Sequence, residues 1–201
     1  MRDPVWYSPE TMHCTDSRLQ WEELSRRRIA SCPIFDLYAA ERRSPNGQRG
    51  EFWILSAPDW VTVVPVLRRA AGEECFVMVR QYRHGADMIT TEFPAGLVDP
   101  GEDPRNAALR ELREETRYHA NHLVLLGELR PNPAFMTNRC FTFLAEDLES
   151  AGALEPDSLE CLDSLVLPVA DVETRMGTGE LVNALTMVAL QSFQRFRAGA
   201  A

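Results

Sequence analysis

The sequence lacks the features that mark membrane-spanning, exported or disulfide-stabilised chains. Its opening residues, MRDPVWYSPE, have no basic start followed by an apolar run, and no apolar run approaches the ~18 residues of a membrane-spanning helix. The five cysteines are odd in number, widely scattered and without a Cys-x-x-Cys pair. We therefore expect no signal peptide, no zinc or thiol redox site, and free thiols in a reducing cytoplasm.

Positive charge is also in short supply. Lys and Arg together number 21 against 30 Asp and Glu, which gives a net charge of -9 and a pI of about 5.0. Binding to nucleic acid depends on clustered basic side chains, so this balance argues against a nucleic-acid partner. A small anion can still bind where arginines or a divalent metal screen it. The 201 residues are enough to build one globular core without disulfides or a structural metal.

Strand signals dominate the chain once its polar and weakly periodic first 33 residues are passed. The runs IFDLYAAERR and EFWILSA flank Asn46-Gly47, a dipeptide that strongly indicates a β-hairpin. The runs WVTVVPVL and CFVMVRQYR are rich in β-branched and aromatic residues and indicate a second antiparallel pair. Further strands are expected at MITTEFPAG, HLVLLGEL, CFTFLAEDL and LDSLVLPVA.

Two helices complete the pattern. Asp103 offers an N-cap, Pro104 suits the first helical position, and RNAALRELREET continues without Gly or Pro. The tail after Gly179 carries apolar residues at helical spacing, namely Leu181, Leu185, Val188 and Phe193. This mixture of elements predicts an α+β fold in which helices cover both faces of a sheet.

The first of these helices carries Glu111, Glu114 and Glu115 beside its apolar side. Carboxylates three or four residues apart on a helix repel each other at a cost of about 0.2–0.5 kcal/mol per pair. A hard divalent cation such as Mg²⁺ prefers oxygen ligands and turns that repulsion into attraction. The alternative is a solvated, salt-bridged helix face, in which Arg110 reaches Glu114 four residues away. The spacing alone leaves both interpretations open.

The residues around these glutamates resemble the signature of the Nudix hydrolases. That motif runs Gly, five residues, Glu, seven residues, Arg-Glu, an aliphatic residue, any residue, Glu-Glu, any residue, Gly, and an aliphatic or aromatic residue. The chain supplies, in register, Gly96, Glu102, Arg110, Glu111, Leu112, Glu114, Glu115 and Tyr118. Arg117 stands where the motif has Gly, a residue that suits a helix C-terminus.

The resemblance implies an α/β/α sandwich with a mixed sheet, and hydrolysis of a nucleoside diphosphate linked to another group, with Mg²⁺ or Mn²⁺ as cofactor. Arg110 would orient the glutamates, and Glu114 would take part in catalysis as well as metal binding. The metal ligands implied are the backbone carbonyl of Ala95, a weaker or water-mediated Glu102, and Glu111, Glu114 and Glu115.

The flanking segments VRQYRHG and TEFPAGLVDPGE resemble the ADP-ribose pyrophosphatase branch of that family. The likeness implies that Arg83 clamps phosphate oxygens with its planar guanidinium. Alternatively, Arg83 pairs with Glu92, which would otherwise be an acid of the substrate site. The loop RPNPAFMTNR is expected to meet the substrate. Its Phe135 would either stack on adenine or pack in the core or at a dimer interface. This loop lacks the Pro-Gly-Gly and following acid of many sugar-nucleotide members, which weakens ADP-ribose as the unique substrate.

The same resemblance implies a division of the chain. Residues 1–56 would form an N-terminal β extension that dimerises, partly through the hairpin at Asn46-Gly47, and residues 57–201 would form the Nudix hydrolase domain. We expect a cytoplasmic homodimer that converts ADP-ribose to AMP and ribose 5-phosphate. Two alternatives stay open: hydrolysis of another nucleotide, such as a nucleoside triphosphate, dinucleoside polyphosphate, other sugar nucleotide or coenzyme, and a non-catalytic nucleotide sensor.

A general base is expected on a late loop, where this chain has LEPDSLECLDSLVL. We prefer Glu160 over Asp157 and Asp163, the alternative being that all three acids only aid solubility. Glu160→Gln is expected to lower turnover by on the order of 10² to 10⁴, because it removes the group that deprotonates water. Steady-state kinetics measure this effect and circular dichroism checks folding. Turnover at the parent rate would contradict the assignment.

Overall fold

The computed structural model describes residues 17–70, 72–152 and 161–199. These residues form two units. The first contains residues 17–56 together with Ala134–Met136, and the second contains the other described residues from Ala57 onward. Asp157 and Glu160 of the expected general-base loop lie outside the described residues.

The first unit is a three-stranded antiparallel sheet in the order β1-β2-β3, formed by β1 (Glu22–Cys32), β2 (Phe35–Arg43) and β3 (Arg49–Ser56). The hairpin predicted at Asn46-Gly47 is confirmed. Gly47 has a φ of +86°, a left-handed conformation that glycine adopts without strain, and its N–H donates to the Ser44 carbonyl at 2.9 Å. Strand β1 is exposed along almost its whole length, so its sequence shows no alternation of polar and apolar residues.

The second unit is built on a seven-stranded mixed sheet. Its main path runs β10-β5-β4-β9-β8, with β6 paired to β5 and β7 paired to β4. Strand β4 runs parallel to β9, and the other pairs are antiparallel. The strands are β4 (Trp60–Arg68), β5 (Glu74–Arg83), β6 (Met88–Glu92), β7 (Ala95–Leu97), β8 (Tyr118–Leu129), β9 (Cys140–Ser150) and β10 (Leu162–Pro168).

Helices cover both faces of this sheet, as predicted. Strand β4 shows why, because its successive side chains point to opposite faces. Val61 and Val63 join the core beneath α1 (Pro104–Thr116), whereas Val64 and Val66 join the core beneath α2 (Val169–Arg175) and α3 (Ala184–Arg197). The result is an α/β/α sandwich. None of the described helices is long and apolar enough to cross a membrane.

Prolines set several boundaries that the sequence pattern left imprecise. Pro94 separates β6 from β7, so the predicted strand MITTEFPAG is two strands. Pro168 ends β10, and the last two residues of the predicted strand LDSLVLPVA instead begin α2. Pro65 lies inside β4 between the residues that pair with β7 and those that pair with β5, where its missing N–H interrupts neither ladder. In α3, the expected core residue Val188 is largely exposed.

The glutamate-bearing helix α1 starts and stops at identifiable residues. The Asp103 side chain caps its N-terminus by accepting a hydrogen bond from the Arg105 N–H at 2.8 Å, and Pro104 is the first helical residue, both as predicted. At the other end, Arg117 adopts the left-handed conformation with φ 66° and ψ 19°, and its N–H donates to the Arg113 carbonyl at 3.1 Å. This conformation costs a residue with a β-carbon about 1–2 kcal/mol.

Replacing Arg117 with Gly is therefore expected to stabilise the protein by about 0.5–1 kcal/mol, because relief of the left-handed strain exceeds the greater unfolded-state entropy of glycine. Chemical denaturation measures the change in the free energy of unfolding. Arg113→Gly, inside the same helix, is the matched control and should destabilise by about 1 kcal/mol. Destabilisation by Arg117→Gly would mean that the Arg117 side chain contributes contacts worth more than the strain.

Candidate functional site

The glutamates of α1 face the short strand β7 and the loop that follows it. Strand β7 pairs with β4, and α1 packs over β4 and β7. The Ala95 N–H donates to Glu115 Oε2 at 3.0 Å, which fixes this carboxylate against the strand. Glu115 is only 2% exposed, so the helix places a carboxylate in its buried stripe. An acid is tolerated there only if polar partners or a bound cation compensate it.

Arg110 lies at the centre of the site. Its Nη1 donates to Glu111 Oε1 at 2.7 Å and to Glu114 Oε2 at 3.3 Å. Its Nη2 donates to the Leu97 carbonyl at 2.9 Å. One guanidinium thus joins two glutamates of α1 to β7. Hydrogen bonds from this arginine to carboxylates, above all to Glu102, raise the pKa of Arg110 and keep it charged.

Glu102 ties the loop before α1 to this arginine. Its two carboxylate oxygens accept hydrogen bonds from Arg110 Nε at 3.2 Å and Nη2 at 3.1 Å. The Asp99 N–H also donates to Glu102 Oε2 at 3.0 Å. Because Arg110 and the Asp99 amide stabilise the ionised form, the pKa of Glu102 is lowered. Glu102 therefore stays ionised and holds Arg110 in position.

Gly96 leaves room for the Glu111 carboxylate. A β-carbon built on Gly96 would collide with both carboxylate oxygens and the carboxyl carbon of Glu111. The glycine of the motif is thus required by close approach, and any side chain here would displace Glu111. The spacing of the motif alone does not show this close approach of Glu111 to Gly96.

These residues fit a divalent metal in their chemistry. Carboxylates are the hard oxygen donors that Mg²⁺ and Mn²⁺ prefer, and Glu111 and Glu114 already share one cationic partner, the guanidinium of Arg110. Among the described residues, no three Asp, Glu, His or Cys side chains are already arranged so that they could bind one metal ion. A metal would therefore take over part of the charge neutralisation that Arg110 provides, with Glu102 still anchoring the arginine.

Arg83 and Glu92 form the ion pair that was the alternative interpretation of these residues. Arg83 Nε donates to Glu92 Oε1 at 2.9 Å, and Nη2 donates to Oε2 at 2.7 Å. Burial would raise the pKa of Glu92, but hydrogen bonds from Arg83 and Thr90 outweigh burial and hold the pKa below its ordinary value. The Arg83 side chain is 41% exposed, whereas Glu92 is buried. A buried carboxylate thus holds the guanidinium of a partly exposed arginine side chain.

Three further predicted site residues keep the status of predictions. Phe135 belongs to the first unit, where its carbonyl accepts a hydrogen bond from the Leu55 N–H at 2.8 Å and its ring is 45% exposed. Asp163 lies on β10 opposite Arg80 of β5. The preferred general base, Glu160, belongs to the segment that is not described. The structure therefore does not test any of these three roles.

The sequence patterns did not predict two ion pairs of the second unit. Arg80 binds Glu180 through Nε at 2.8 Å and Nη2 at 2.7 Å, and these contacts lower the pKa of Glu180 to about 2. Arg139 donates to Asp59 Oδ2 from both Nε and Nη2, at 3.0 Å and 2.6 Å. The partners lie 100 and 80 residues apart in the chain, so no local pattern could have joined them.

Comparisons with known proteins agree on one family. The family model described as NUDIX domain matches residues 58–184. The chain is 31% identical over 179 residues to an ADP-ribose pyrophosphatase of Bacillus subtilis, an overlap of 88% of this chain and 94% of the relative. It is 50% identical over 125 residues to an ADP-sugar pyrophosphatase of Mus musculus, covering 59% of this chain and 56% of the relative. A crystal structure of an ADP compounds hydrolase matches with a TM-score of 0.79 at 26% identity, over 90% of this chain and 96% of that one.

Gly96→Ala is expected to lower kcat/KM by on the order of 10²-fold or more, because it displaces a carboxylate of the site by roughly an ångström. Steady-state kinetics at saturating metal measure the loss. Gly127→Ala is the matched control, since a β-carbon there meets no atom within 4 Å and the backbone is not left-handed. Equal activity of the two variants would show that Glu111 does not need the space above Gly96.

Proposed function

Because the chain belongs to the NUDIX family and is a pyrophosphatase, we propose that it hydrolyses ADP-ribose to AMP and ribose 5-phosphate with Mg²⁺. The observation that carries the proposal is the cluster of Glu102, Glu111, Glu114 and Glu115 around Arg110 and Gly96. A non-catalytic sensor has no need of this complete set of carboxylates. The ADP-linked substrates named for the relatives support the choice of substrate.

Family members generally use divalent metal ions, and in this chain we propose that the glutamates of α1 hold the metal, joined by Glu102 and the Ala95 carbonyl. A bound divalent ion would neutralise the diphosphate and lower the pKa of an attacking water. Arg110, anchored by Glu102 and the Leu97 carbonyl, keeps Glu111 and Glu114 turned toward each other. The chain thereby limits the reorganisation that the carboxylates require on binding the cofactor.

We propose that Arg83 binds a phosphate of the substrate while Glu92 holds it. The pair places two guanidinium nitrogens on the buried carboxylate, and the exposed remainder of the side chain faces solvent. Guanidinium groups recognise phosphate oxygens well because their donors are planar and fixed. Glu92 therefore restricts the rotamers of Arg83 before the substrate arrives.

The proton of the attacking water goes to a carboxylate, for which Glu160 stays our proposal. The water oxygen then bonds to one phosphorus, and the bridging oxygen leaves with the other phosphate. For the adenine, we propose stacking on the exposed ring of Phe135. An aromatic face binds any base without hydrogen bonds, so this contact would contribute affinity more than selectivity.

A second candidate substrate is another ADP-linked sugar. The loop between β8 and β9 lacks the Pro-Gly-Gly and following acid that many sugar-nucleotide members carry, which favours a substrate pocket of different shape. The adenosine diphosphate moiety would bind in the same way, because Arg83 would bind its phosphate oxygens and the glutamates would hold the metal that neutralises them. Hydrolysis of the two candidates would differ only in the sugar phosphate that is released with AMP.

We further propose a cytoplasmic homodimer in which the first unit supplies the interface. Apolar side chains exposed on that unit support this proposal: Leu19, Ile34, Phe52 and Trp53. The thiols of Cys32 and Cys161 are free and exposed, which suits a reducing compartment. Sedimentation velocity at micromolar concentration should give the mass of two chains, and a single-chain mass would contradict the dimer.

A panel of nucleoside diphosphate derivatives, assayed with Mg²⁺, tests the proposed function. ADP-ribose should give the highest kcat/KM, and product analysis should find AMP and ribose 5-phosphate instead of pyrophosphate. Glu115→Gln conserves side-chain volume but removes a metal-binding charge, so it serves as the blank and should lose on the order of 10²-fold or more in kcat/KM. Equal hydrolysis by parent and variant would place the activity outside this site.

A further inference from the structure

The loop between β8 and β9, residues 130–139, ends close to the glutamate site. Trp60 of β4 pairs on one side with Cys140, the first residue of β9, and on the other side with Leu97 of β7. Neighbouring strands lie about 4.8 Å apart, so the end of the loop and Leu97 are separated by roughly 10 Å. Leu97 is the residue whose carbonyl anchors Arg110. The end of the loop that enters β9 is therefore two strands away from β7, the strand whose Leu97 carbonyl binds Arg110.

Asp59, the residue before β4, contacts both sides of this arrangement. Its Oδ1 accepts a hydrogen bond from the Arg139 N–H at 2.7 Å, and its Oδ2 accepts two from the Arg139 guanidinium, at 3.0 Å from Nε and 2.6 Å from Nη2. Its carbonyl accepts the N–H of Val98, which directly follows β7, at 2.8 Å. A single residue thus links the end of loop 130–139 to the start of the loop that carries Glu102.

The guanidinium that Asp59 holds is supported from other directions. Arg139 lies over the ring of Phe141 at 4.9 Å from its centroid and within 3.8 Å of Glu128. Partial burial would raise the pKa of Asp59, but the hydrogen bonds from Arg139 outweigh it and hold the pKa below its ordinary value. The carboxylate therefore stays ionised at neutral pH, and its bonds to Arg139 are charge-assisted.

Two other polar side chains of the loop, Arg130 and Asn138, do not bind β4. Arg130 donates from Nη1 to the Thr137 carbonyl at 2.9 Å, which closes the neck of the loop on itself. Asn138 is buried, yet neither atom of its amide group has a hydrogen-bond partner among the described residues. The residue next to Arg139 thus contributes no side-chain hydrogen bond that would fix the loop to the sheet. Asp59 thus adds a charged side-chain anchor to the backbone hydrogen bond that the Trp60 N–H of β4 donates to the Arg139 carbonyl at 2.8 Å.

We propose that Asp59 is a positioning residue that sets the end of loop 130–139, residues 137–139 of the second unit, against the glutamate site and so determines how tightly the nucleoside diphosphate derivative is bound. The inference rests on the proposed function, because it takes this loop as the substrate-binding loop. The glutamates have their own support in Arg110, Gly96 and the Ala95 N–H. Loss of Asp59 should therefore weaken substrate binding and leave the chemical step nearly intact.

Kinetics of three variants test the proposal. Asp59→Ala should raise KM for ADP-ribose about 10-fold, the effect of losing a charge-assisted hydrogen bond, with kcat within about threefold of the parent. Asp59→Asn conserves an acceptor for the Arg139 N–H and should have a smaller effect. Arg139→Lys keeps the charge but loses the two-pronged bond and should resemble Asp59→Asn. Glu74→Gln, which weakens pairs with Arg68 at 3.0 Å and with Arg197 at 3.1 Å, is the control and should keep both constants.

Two kinetic results would overturn the proposal. One is an unchanged KM in Asp59→Ala and Asp59→Asn. The other is a fall in kcat at constant KM, which would assign Asp59 to the chemical step. An equal rise in KM in the Glu74→Gln control would likewise refute it, because the effect would then follow from losing any ion pair.

Hydrogen exchange measured by mass spectrometry separates this inference from the proposed function, since it needs no substrate. In Asp59→Ala, peptides covering residues 96–103 and 130–139 should exchange at least several-fold faster, while peptides from the core of β5 keep the parent rate. Faster exchange in β5 as well would indicate general destabilisation and overturn the positioning role, as would unchanged exchange in both loops. If the parent enzyme hydrolyses no nucleotide in the panel, the proposed function fails, and hydrogen exchange still decides whether Asp59 fixes the loop.

Discussion

Repulsion between neighbouring carboxylates is the constraint around which the second unit is organised. Helix α1 places Glu111 within reach of Glu114 and Glu115, and it buries the last of these beside apolar residues. Such an arrangement persists only when positive charge and directed N–H groups compensate it. Arg110 supplies the charge and the Ala95 amide supplies a donor. Arg110 lies on α1 and Ala95 on β7, and both elements contact β4, so the sheet brings the compensating groups to the carboxylates.

The same physical solution recurs in other parts of the second unit. Arg83 with Glu92 and Arg80 with Glu180 each use two nitrogens of one guanidinium on two oxygens of one carboxylate. The Arg139 guanidinium also donates from two nitrogens, but both bind the same oxygen of Asp59. Planar double contacts fix the direction of a side chain as well as its charge state. Exposed pairs of this kind add little to stability. Their value here lies in orientation, because each pair fixes the direction of one guanidinium, and the pairs of Arg80 and Arg139 also join segments that are distant in the sequence.

Local signals in the sequence were sufficient for the local parts of the fold. Asn46-Gly47 specified its hairpin, and Asp103 with Pro104 specified the start of α1, because turns and caps depend on residues only a few positions apart. The spacing of the glutamates and Gly96 specified the core of the candidate site for the same reason. The parallel pairing of β4 with β9 was not predictable, because it joins residues about eighty positions apart and leaves no periodic trace. Exposure on both faces removed any alternation from β1, and burial of Glu115 ran against its residue type.

Pro65 gives the central strand an unequal behaviour along its length. Before this proline β4 holds β7, and after it β4 holds β5, so the two neighbours separate at a point where no backbone N–H is available. The β4–β7 pairing and the β4–β5 pairing therefore need not open together when the sheet fluctuates. The three residues of β7 can loosen and close again while the apolar layers around β5 stay packed. Local opening at β7 is therefore expected to require a free energy well below that of global unfolding.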